Sequence, residues 1–211
     1  VVTTDYELDP VPMDGMPEPI EMVGHVVEPV AGAATGPRPL VLFLHGRHNA
    51  CYDPGDGTAS LDDWPCQAPQ REIPSHLGYD YVQQVLASQG FATVSVRVNG
   101  INAQDFALED GGAAARALVV RRHLDHWANL AAQHRVDLSS VVLVGHSRGG
   151  EGVDKASLQI PLGAPYAIAG QVLLGLLTMQ DLRRVPREEW ATTFVFKAMT
   201  PREKLYTVDV R

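Results

Sequence analysis

Four short runs of apolar residues stand out along the chain and predict β-strands. Residues 40–44 read LVLFL, a continuous apolar run that is typical of a strand covered on both faces. The run at 91–98, FATVSVRV, is rich in β-branched residues, and VVLV at 141–144 is again wholly apolar. The stretch 20–30, IEMVGHVVEPV, completes the set. Together these runs predict a sheet whose strands are largely buried.

Between the runs, apolar residues recur at intervals of three and four, which is the spacing of one helical face. Residues 79–90 predict a first helix, with Gly90 just past its end as a cap. The clearest helix begins near Glu109 and carries an apolar stripe made of Ala113, Ala117, Val120, Leu124, Trp127 and Ala131. A last helix is predicted from Gly150 to about Leu158.

The order of these elements predicts an α/β fold. Buried strands that alternate with amphipathic helices indicate a mainly parallel sheet with helices on both faces. Residues 1–19 contain four prolines and are expected to form an extended lead-in, and residues 20–211 are expected to form a single domain. The segment 45–75 is long for a loop, and long loops are usually functional or tied down.

Composition narrows the range of partners. With 45 % hydrophobic and 20 % charged residues, the chain can build a substantial core. Its 25 acidic residues outnumber 17 basic ones, and the formal net charge of −8 argues against binding to nucleic acid. The longest apolar stretch, 166–178, is too short and too interrupted to span a bilayer, so no transmembrane segment is expected. The oligomeric state stays open.

Two cysteines, Cys51 and Cys66, lie in the same polar loop. A bond between them would close a 15-residue loop and contribute about 3 kcal/mol in the chain-entropy model. The alternative is a pair of unrelated thiols in a reducing compartment. The local spacing and the loop's Pro, Gly and Asp content favour the disulfide, and with it a secreted, extracellular protein. A removed signal peptide would leave a start such as Val1-Val2.

The segment 141–150, VVLVGHSRGG, contains the pattern G-x-S-x-G where a buried strand should turn into a helix. This arrangement is called a nucleophile elbow. It would hold Ser147 on a strained turn, and it requires small residues at Gly145 and Gly149. The helix that follows would point its N-terminus at the reaction centre, where free N–H groups stabilise an oxyanion. The alternative is a turn of this shape without chemistry.

A second signal comes from residues 42–48, LFLHGRH, which place Gly46 at the end of an earlier buried strand. The backbone N–H of Arg47 is expected to complete an oxyanion hole with the N–H of Arg148. A strand followed by His-Gly, and later a strand followed by G-x-S-x-G, form a joint pattern that chance rarely supplies.

These motifs and their order resemble the α/β-hydrolase fold. HGRHNACY, GYDYVQQVLASQG, NGINAQD and GHSRGGEGV look more narrowly like the hydrolase domain of large secreted actinobacterial proteins, from about Ile20 to Gln171. The resemblance implies a serine hydrolase of the esterase or lipase type. It would cleave an ester or related acyl bond of a small or polymeric substrate through a Ser147 acyl-enzyme, without a metal or organic cofactor. After residue 171 the family pattern is lost, so the C-terminal part is expected to be truncated or divergent.

The base that should activate Ser147 is missing from its expected place. Serine hydroxyls need a nearby base, almost always histidine, and in this fold the histidine follows the nucleophile in the chain. All eight histidines precede Ser147. His48 and His76 lie on the loop that could border the site and are the best of the upstream candidates, whereas His146 is expected to pack behind the turn. The catalytic base stays unassigned.

Three interpretations therefore remain. The chain is a serine hydrolase that is a fragment or a divergent member, it is an inactive relative that uses the pocket as a binding module, or it is an unrelated α/β domain with an accidental motif.

Several other polar residues have plain structural explanations. Asp105 is expected to cap a helix, and Arg148 can pair with Glu151 one turn along its helix. His123 and His126 are spaced like a pair of metal ligands, but a solvated helix face is the expectation and no metal site is predicted.

Overall fold

The computed structural model describes residues 1–33 and 36–168, together with the backbone of residues 175–176 and 200–201. The chain divides into two compact units, Val1–Gly170 and Gln171–Arg211. In the second unit, Gly175–Leu176 pairs antiparallel with Thr200–Pro201. The first unit contains the predicted strands, helices and site residues.

The strands of the first unit are, in chain order, β1 (Val2–Val11), β2 (Ile20–Glu28), β3 (Arg38–Leu44), β4 (Cys51–Tyr52), β5 (Ala59–Ser60), β6 (Arg71–Glu72), β7 (Ala92–Val96) and β8 (Val136–Gly145). Its α-helices are α1 (Asp80–Ser88), α2 (Asn99–Gln104), α3 (Ala113–His134) and α4 (Arg148–Leu158). A 3₁₀ turn, Ser75–Tyr79, leads into α1, and another, Asp105–Ala107, follows α2. The four strands and three helices predicted between residues 20 and 158 are present, and the further strands considered after residue 166 lie largely outside the described residues.

The main sheet has five strands in the order β1-β2-β7-β3-β8. Strands β7, β3 and β8 are parallel, and β2 and β1 extend the sheet antiparallel. The crossover from β3 through α1 to β7 runs in one direction along the sheet, and the crossover from β7 through α3 to β8 runs in the other. Because such crossovers are right-handed, α1 and α3 cover opposite faces. The predicted fold class is confirmed.

The core lies between this sheet and its helices. Leu40, Leu42 and Leu44 of β3 are fully buried. Most of the apolar stripe predicted for α3 faces the same core, namely Ala117, Val120, Leu124 and Trp127. No helix in the described part of the chain combines the length and apolar character needed to cross a membrane.

The segment expected as an extended lead-in contributes β1 to the sheet, paired with β2 along most of its length. This pairing overturns the expectation that His123 and His126 lie on a solvated helix face. His123 is fully buried, and its Nδ1 lies 2.7 Å from the hydroxyl of Tyr6 on β1. The ring of His126 packs against the same tyrosine. Among the described residues, no cluster of three or more His, Cys, Asp or Glu side chains could hold a metal ion.

Helix α2 was not predicted, because its six residues are all buried and show no amphipathic period. Asn99-Gly100 was expected only to end a strand, yet α2 begins there. The carboxylate of Glu21, a residue of β2, accepts the backbone N–H groups of Asn99 at 2.5 Å and Gly100 at 3.0 Å. Burial raises the pKa of Glu21 to about 7, although Arg97 and these N–H groups oppose that shift. A helix start is thus stabilised by a residue far away in the sequence.

The long segment after β3 is folded rather than loose. Its short strands form a small sheet in the order β5-β4-β6, and a disulfide joins Cys51 to Cys66, as predicted. The buried side chain of Asn99 donates hydrogen bonds from Nδ2 to the carbonyl oxygens of Ala50 and Ile73. These two contacts hold both ends of the segment together beside α2.

Candidate functional site

The register of the parallel strands brings the two glycine motifs together. Leu44 at the end of β3 is paired with Gly145 at the end of β8. The chain therefore leaves both strands at the same edge of the sheet, where α/β proteins usually place their sites. The backbone N–H of His146 donates to the carbonyl oxygen of Leu44 at 3.1 Å, which ties the start of the second turn to the first strand.

Ser147 lies between β8 and α4 with a backbone conformation that few side chains adopt. Its φ is 53° and its ψ is −126°, and its side chain is exposed. In the described part of the chain, only Arg135 is another non-glycine residue with positive φ. Such a conformation costs about 1–3 kcal/mol and persists only where the surroundings enforce it. The observed strain is the feature expected of a sharp strand-to-helix turn.

The surroundings that enforce the turn are backbone groups. A Cβ atom at Gly149 would overlap the carbonyl oxygen of Leu44, and one at Gly145 would overlap the backbone of Gly149. At Gly46 a Cβ atom would lie 2.9 Å from the Cβ of Ser147. Each of the three positions therefore accepts only glycine in this geometry, and Gly46 lies close beside the serine.

Two backbone N–H groups, one after each glycine turn, have no hydrogen-bond partner among the described residues. Within the described part of the chain, the N–H of Arg47 and the N–H of Arg148 donate no hydrogen bond. The first follows the Gly46 turn, and the second is at the N-terminus of α4. They are the two groups that the sequence singled out for an oxyanion hole.

His45 supports the Gly46 turn as a neutral imidazole. Burial lowers its pKa to about 3. Its Nε2 accepts the backbone N–H of Val98 at 3.0 Å, so its proton is on Nδ1, which lies 2.8 Å from the carbonyl oxygen of Gly46. The fixed tautomer joins the turn after β3 to the end of β7.

Asp105 does not cap a helix, contrary to expectation. Its buried carboxylate accepts from Arg116 Nη2 at 2.8 Å and lies 2.9 Å from Arg47 Nε. Arg116 Nη2 also donates to Asn102 Oδ1 at 2.7 Å, and Asn102 Nδ2 donates to the carbonyl oxygen of Gly46 at 3.2 Å. The helix that follows, α3, has Gly112 at its N-cap position, and the carboxylate of Asp105 is instead held by charge-assisted contacts with two arginines.

Arg148 pairs with Glu151 at 3.2 Å, as predicted. Its guanidinium also lies over Gly111, where a Cβ atom would overlap Nη1. Both partners of this ion pair are solvent-accessible, so the pair adds little stability. The Arg148 side chain therefore lies against Gly111, two residues before α3.

No described residue supplies a base to Ser147. His48 Nε2 lies 3.1 Å from His45 Nδ1, and His48 Nδ1 lies 2.7 Å from the carbonyl oxygen of Asn49. His76 is buried beside His25, and burial lowers its pKa to about 4. The exposed His146 lies next to Gly46. In the described residues, none of these imidazoles is within hydrogen-bond distance of the serine hydroxyl.

Sequence reasoning missed Asn102 and Arg116, whose hydrogen bonds hold the carbonyl group of Gly46. Both side chains are completely buried. A polar residue on an otherwise apolar helical face was the available signal for Arg116, because a buried guanidinium needs partners. Asn102 gave no such signal, since α2 itself was not predicted.

No family model and no curated protein matches the chain. Solved structures with similar folds include esterase Est22, with 18 % identity and a TM-score of 0.45 over 75 % of this chain and 38 % of that one. A poly(3-hydroxybutyrate) depolymerase, LpqC from Bordetella parapertussis, has 19 % identity and a TM-score of 0.45 over 78 % and 49 %. An acylaminoacyl peptidase from Pyrococcus horikoshii has 15 % identity and a TM-score of 0.45 over 78 % and 22 %.

The chain thus spans less than half the length of each of these structures. At these identities the likeness concerns the fold alone. The sheet order and the crossovers are those of the α/β fold with a mainly parallel sheet that the sequence predicts.

Proposed function

We propose that this chain is the nucleophile-bearing part of a serine hydrolase that acts on carboxylic esters or related acyl bonds. The observation that carries the proposal is the strained backbone of Ser147, exposed at the start of α4 and in contact with the Gly46 turn. Strain of this kind is maintained at functional sites.

In the proposed reaction, Ser147 Oγ forms a bond to the carbonyl carbon of the ester. The N–H groups of Arg47 and Arg148 stabilise the negative charge on the carbonyl oxygen. The tetrahedral intermediate then collapses, the alcohol leaves with a proton, and an acyl-enzyme remains. Water hydrolyses that acyl-enzyme to the free acid and restores the serine. The base that accepts the Oγ proton is not among the described residues, and its identity is not part of the proposal.

A fluorophosphonate probe tests the first step directly. We expect covalent labelling at Ser147 and none in Ser147→Ala, with Ser88→Ala as a matched exposed-serine control that still labels. Hydrolysis of 4-nitrophenyl butyrate, or a single burst of nitrophenol if the acyl-enzyme accumulates, would support acyl transfer. Absence of both labelling and nitrophenol release, in protein shown to be folded, would contradict the proposal.

One observation favours a second function, that of a binding module without turnover. Among the described residues, no imidazole lies within hydrogen-bond distance of the Ser147 hydroxyl, and His48 contacts His45 and Asn49 instead. This function predicts that Ser147 is not labelled, while a carboxylate or ester still binds to the Ser147→Ala protein with unchanged affinity.

The disulfide supports an extracellular location, because such bonds persist in oxidising compartments. We propose secretion on that basis, and an ester as the partner rather than nucleic acid, in keeping with the negative net charge. Retention of the oxidised Cys51–Cys66 bond in protein isolated from the culture medium is the corresponding test.

A further inference from the structure

Two arginines share the carboxylate of Asp105 in a cluster that is hydrogen-bonded to the Gly46 turn. Arg116 and Arg47 both contact Asp105, each through a different carboxylate oxygen. Arg116 is completely buried and Asp105 is 4 % exposed. Their remaining polar partners, Asn102 and the carbonyl group of Gly111, carry no charge.

This cluster has a net charge of about +1, since two guanidinium groups face a single carboxylate at neutral pH. An uncompensated positive charge surrounded by protein is less well screened than one in water, because the effective dielectric constant is lower. Such a charge attracts an anion. Arg47 is the member that meets solvent, because its side chain is 33 % exposed. In the described part of the chain, Nη1 and Nη2 of Arg47 have no partner.

The neighbouring groups do not cancel the charge. Arg148 and Glu151 neutralise each other as an ion pair. His45 is neutral near pH 7 because burial holds its pKa at about 3. The whole chain has a formal net charge of −8, so the sign of this local charge is opposite to that of the protein as a whole. Arg47 directly follows Gly46, and Gly46 is so close to Ser147 that an added Cβ atom would lie 2.9 Å from the Cβ of the serine.

We propose that Arg47 binds a carboxylate carried by the substrate, so that the preferred substrates are esters that retain a free acid group. Monoesters of dicarboxylic acids are the simplest such compounds. A single surplus charge fits a carboxylate rather than a phosphate monoester dianion. Asp105 and Arg116 act as positioning residues, because they fix the Nε end of the guanidinium and leave its outer edge to the ligand. The inference rests on the proposed function.

The kinetic test compares 4-nitrophenyl hydrogen adipate, which has a free carboxylate, with 4-nitrophenyl methyl adipate, in which that carboxylate is a methyl ester. In wild-type protein, kcat/KM or the acylation burst rate should be about ten- to a hundredfold higher for the acid, the range expected for hydrogen bonds to a charged group. Arg47→Gln should bring the ratio of the two rates close to one, and Arg47→Lys should restore part of it. Arg122→Gln, which alters an exposed arginine of α3, should leave the ratio as in wild type.

A binding test on the Ser147→Ala protein separates this inference from the proposed function. Monomethyl adipate should bind at least about tenfold more tightly than dimethyl adipate, and adding Arg47→Gln should abolish the difference. Equal binding of the two compounds, or a preference that survives Arg47→Gln, would overturn the inference. If neither nitrophenyl ester reacts but the binding preference depends on Arg47, the proposed function fails and the carboxylate site stands.

Discussion

Gly149 at the start of α4 lies directly against the carbonyl group of Leu44 at the end of β3, with no room for a side chain between them. This contact fixes how closely the helix after Ser147 approaches the neighbouring parallel strand. The shape of the candidate site therefore depends on a backbone-to-backbone contact between residues that are about a hundred positions apart.

We expect Gly149→Ala to lower the free energy of unfolding by about 1–3 kcal/mol, the usual cost of overpacking a closed contact. It should also abolish Ser147 labelling, because α4 must move away from β3. Gly150→Ala is the matched control, since a Cβ atom there would be 3.6 Å from its nearest neighbour. Urea unfolding and probe labelling of both variants check this, and equal stability of the two would refute it.

Removing Asp105 should destabilise the protein strongly. Asp105→Ala leaves the fully buried Arg116 without its counter-charge, for which we expect a loss of about 3–5 kcal/mol. Asp110→Ala removes an accessible carboxylate that pairs with Lys155 and accepts the backbone N–H of Ala114 at the start of α3, so it should cost about 0.5–2 kcal/mol. Denaturant unfolding of the two variants gives the comparison. A small, equal effect in both would mean that Arg116 is not held mainly by Asp105.

The disulfide should stabilise the folded protein by restricting the unfolded chain, by an amount that grows with the logarithm of the loop length. For a separation of 15 residues, the double variant Cys51→Ser, Cys66→Ser should lose about 3 kcal/mol. A reductant should lower the stability of wild-type protein by a similar amount and leave the double variant unchanged. A loss below about 1 kcal/mol would show that Asn99 and the small sheet hold the segment without the bond.

Acid should destabilise the folded state well above the pH at which carboxylates titrate. Burial lowers the pKa of His45 and His123 to about 3 and that of His76 to about 4. The unfolded chain takes up these protons below about pH 6.5 and the folded chain does not, so stability falls as pH drops from 6.5 to about 4. Each histidine contributes a slope of about 1.4 kcal/mol per pH unit.

Glu21 has the opposite effect on stability, because its pKa is raised to about 7 in the folded state. Between pH 7 and 4.5 the folded chain binds one proton there that the unfolded chain does not, so this residue favours folding as pH falls. The expected net slope near pH 5.5 is therefore about 3 kcal/mol per pH unit. In His123→Gln the slope of stability against pH should decrease by about 1.4 kcal/mol per pH unit, the contribution of one histidine. Urea midpoints measured between pH 7 and 5 test this, and an unchanged slope in the variant would show that His123 takes up its proton in the folded state.

Much of the fold could be predicted from local pattern. The apolar run at 40–44 is typical of a buried strand, and the stripe from Ala117 to Trp127 is typical of a helical face packed on a core. Two cysteines in one loop indicated their own pairing. In each case the information lies in residues close together in the sequence, because the spacing and size of neighbouring side chains determine the local backbone structure.

The candidate site also has a part that local sequence predicted and a part that it did not. The spacing of Gly145, Ser147 and Gly149 predicted a sharp turn, because few other residues allow it. Asp105 shows the opposite case. Its sequence neighbours suggested a cap, and only the folded chain brings Arg47 and Arg116 to its two oxygens.

The sequence by itself thus determined the strands, the helices that cover the sheet and the sharp turn at Ser147, since these follow from periodicity and from residues without side chains. Tertiary structure alone decided which polar groups are buried. Tyr6 covers His123, Glu21 starts α2, and Asp105 joins two arginines beneath Gly46. The physical reason is that a buried charge or imidazole is stabilised by partners distant along the chain, and only folding selects those partners.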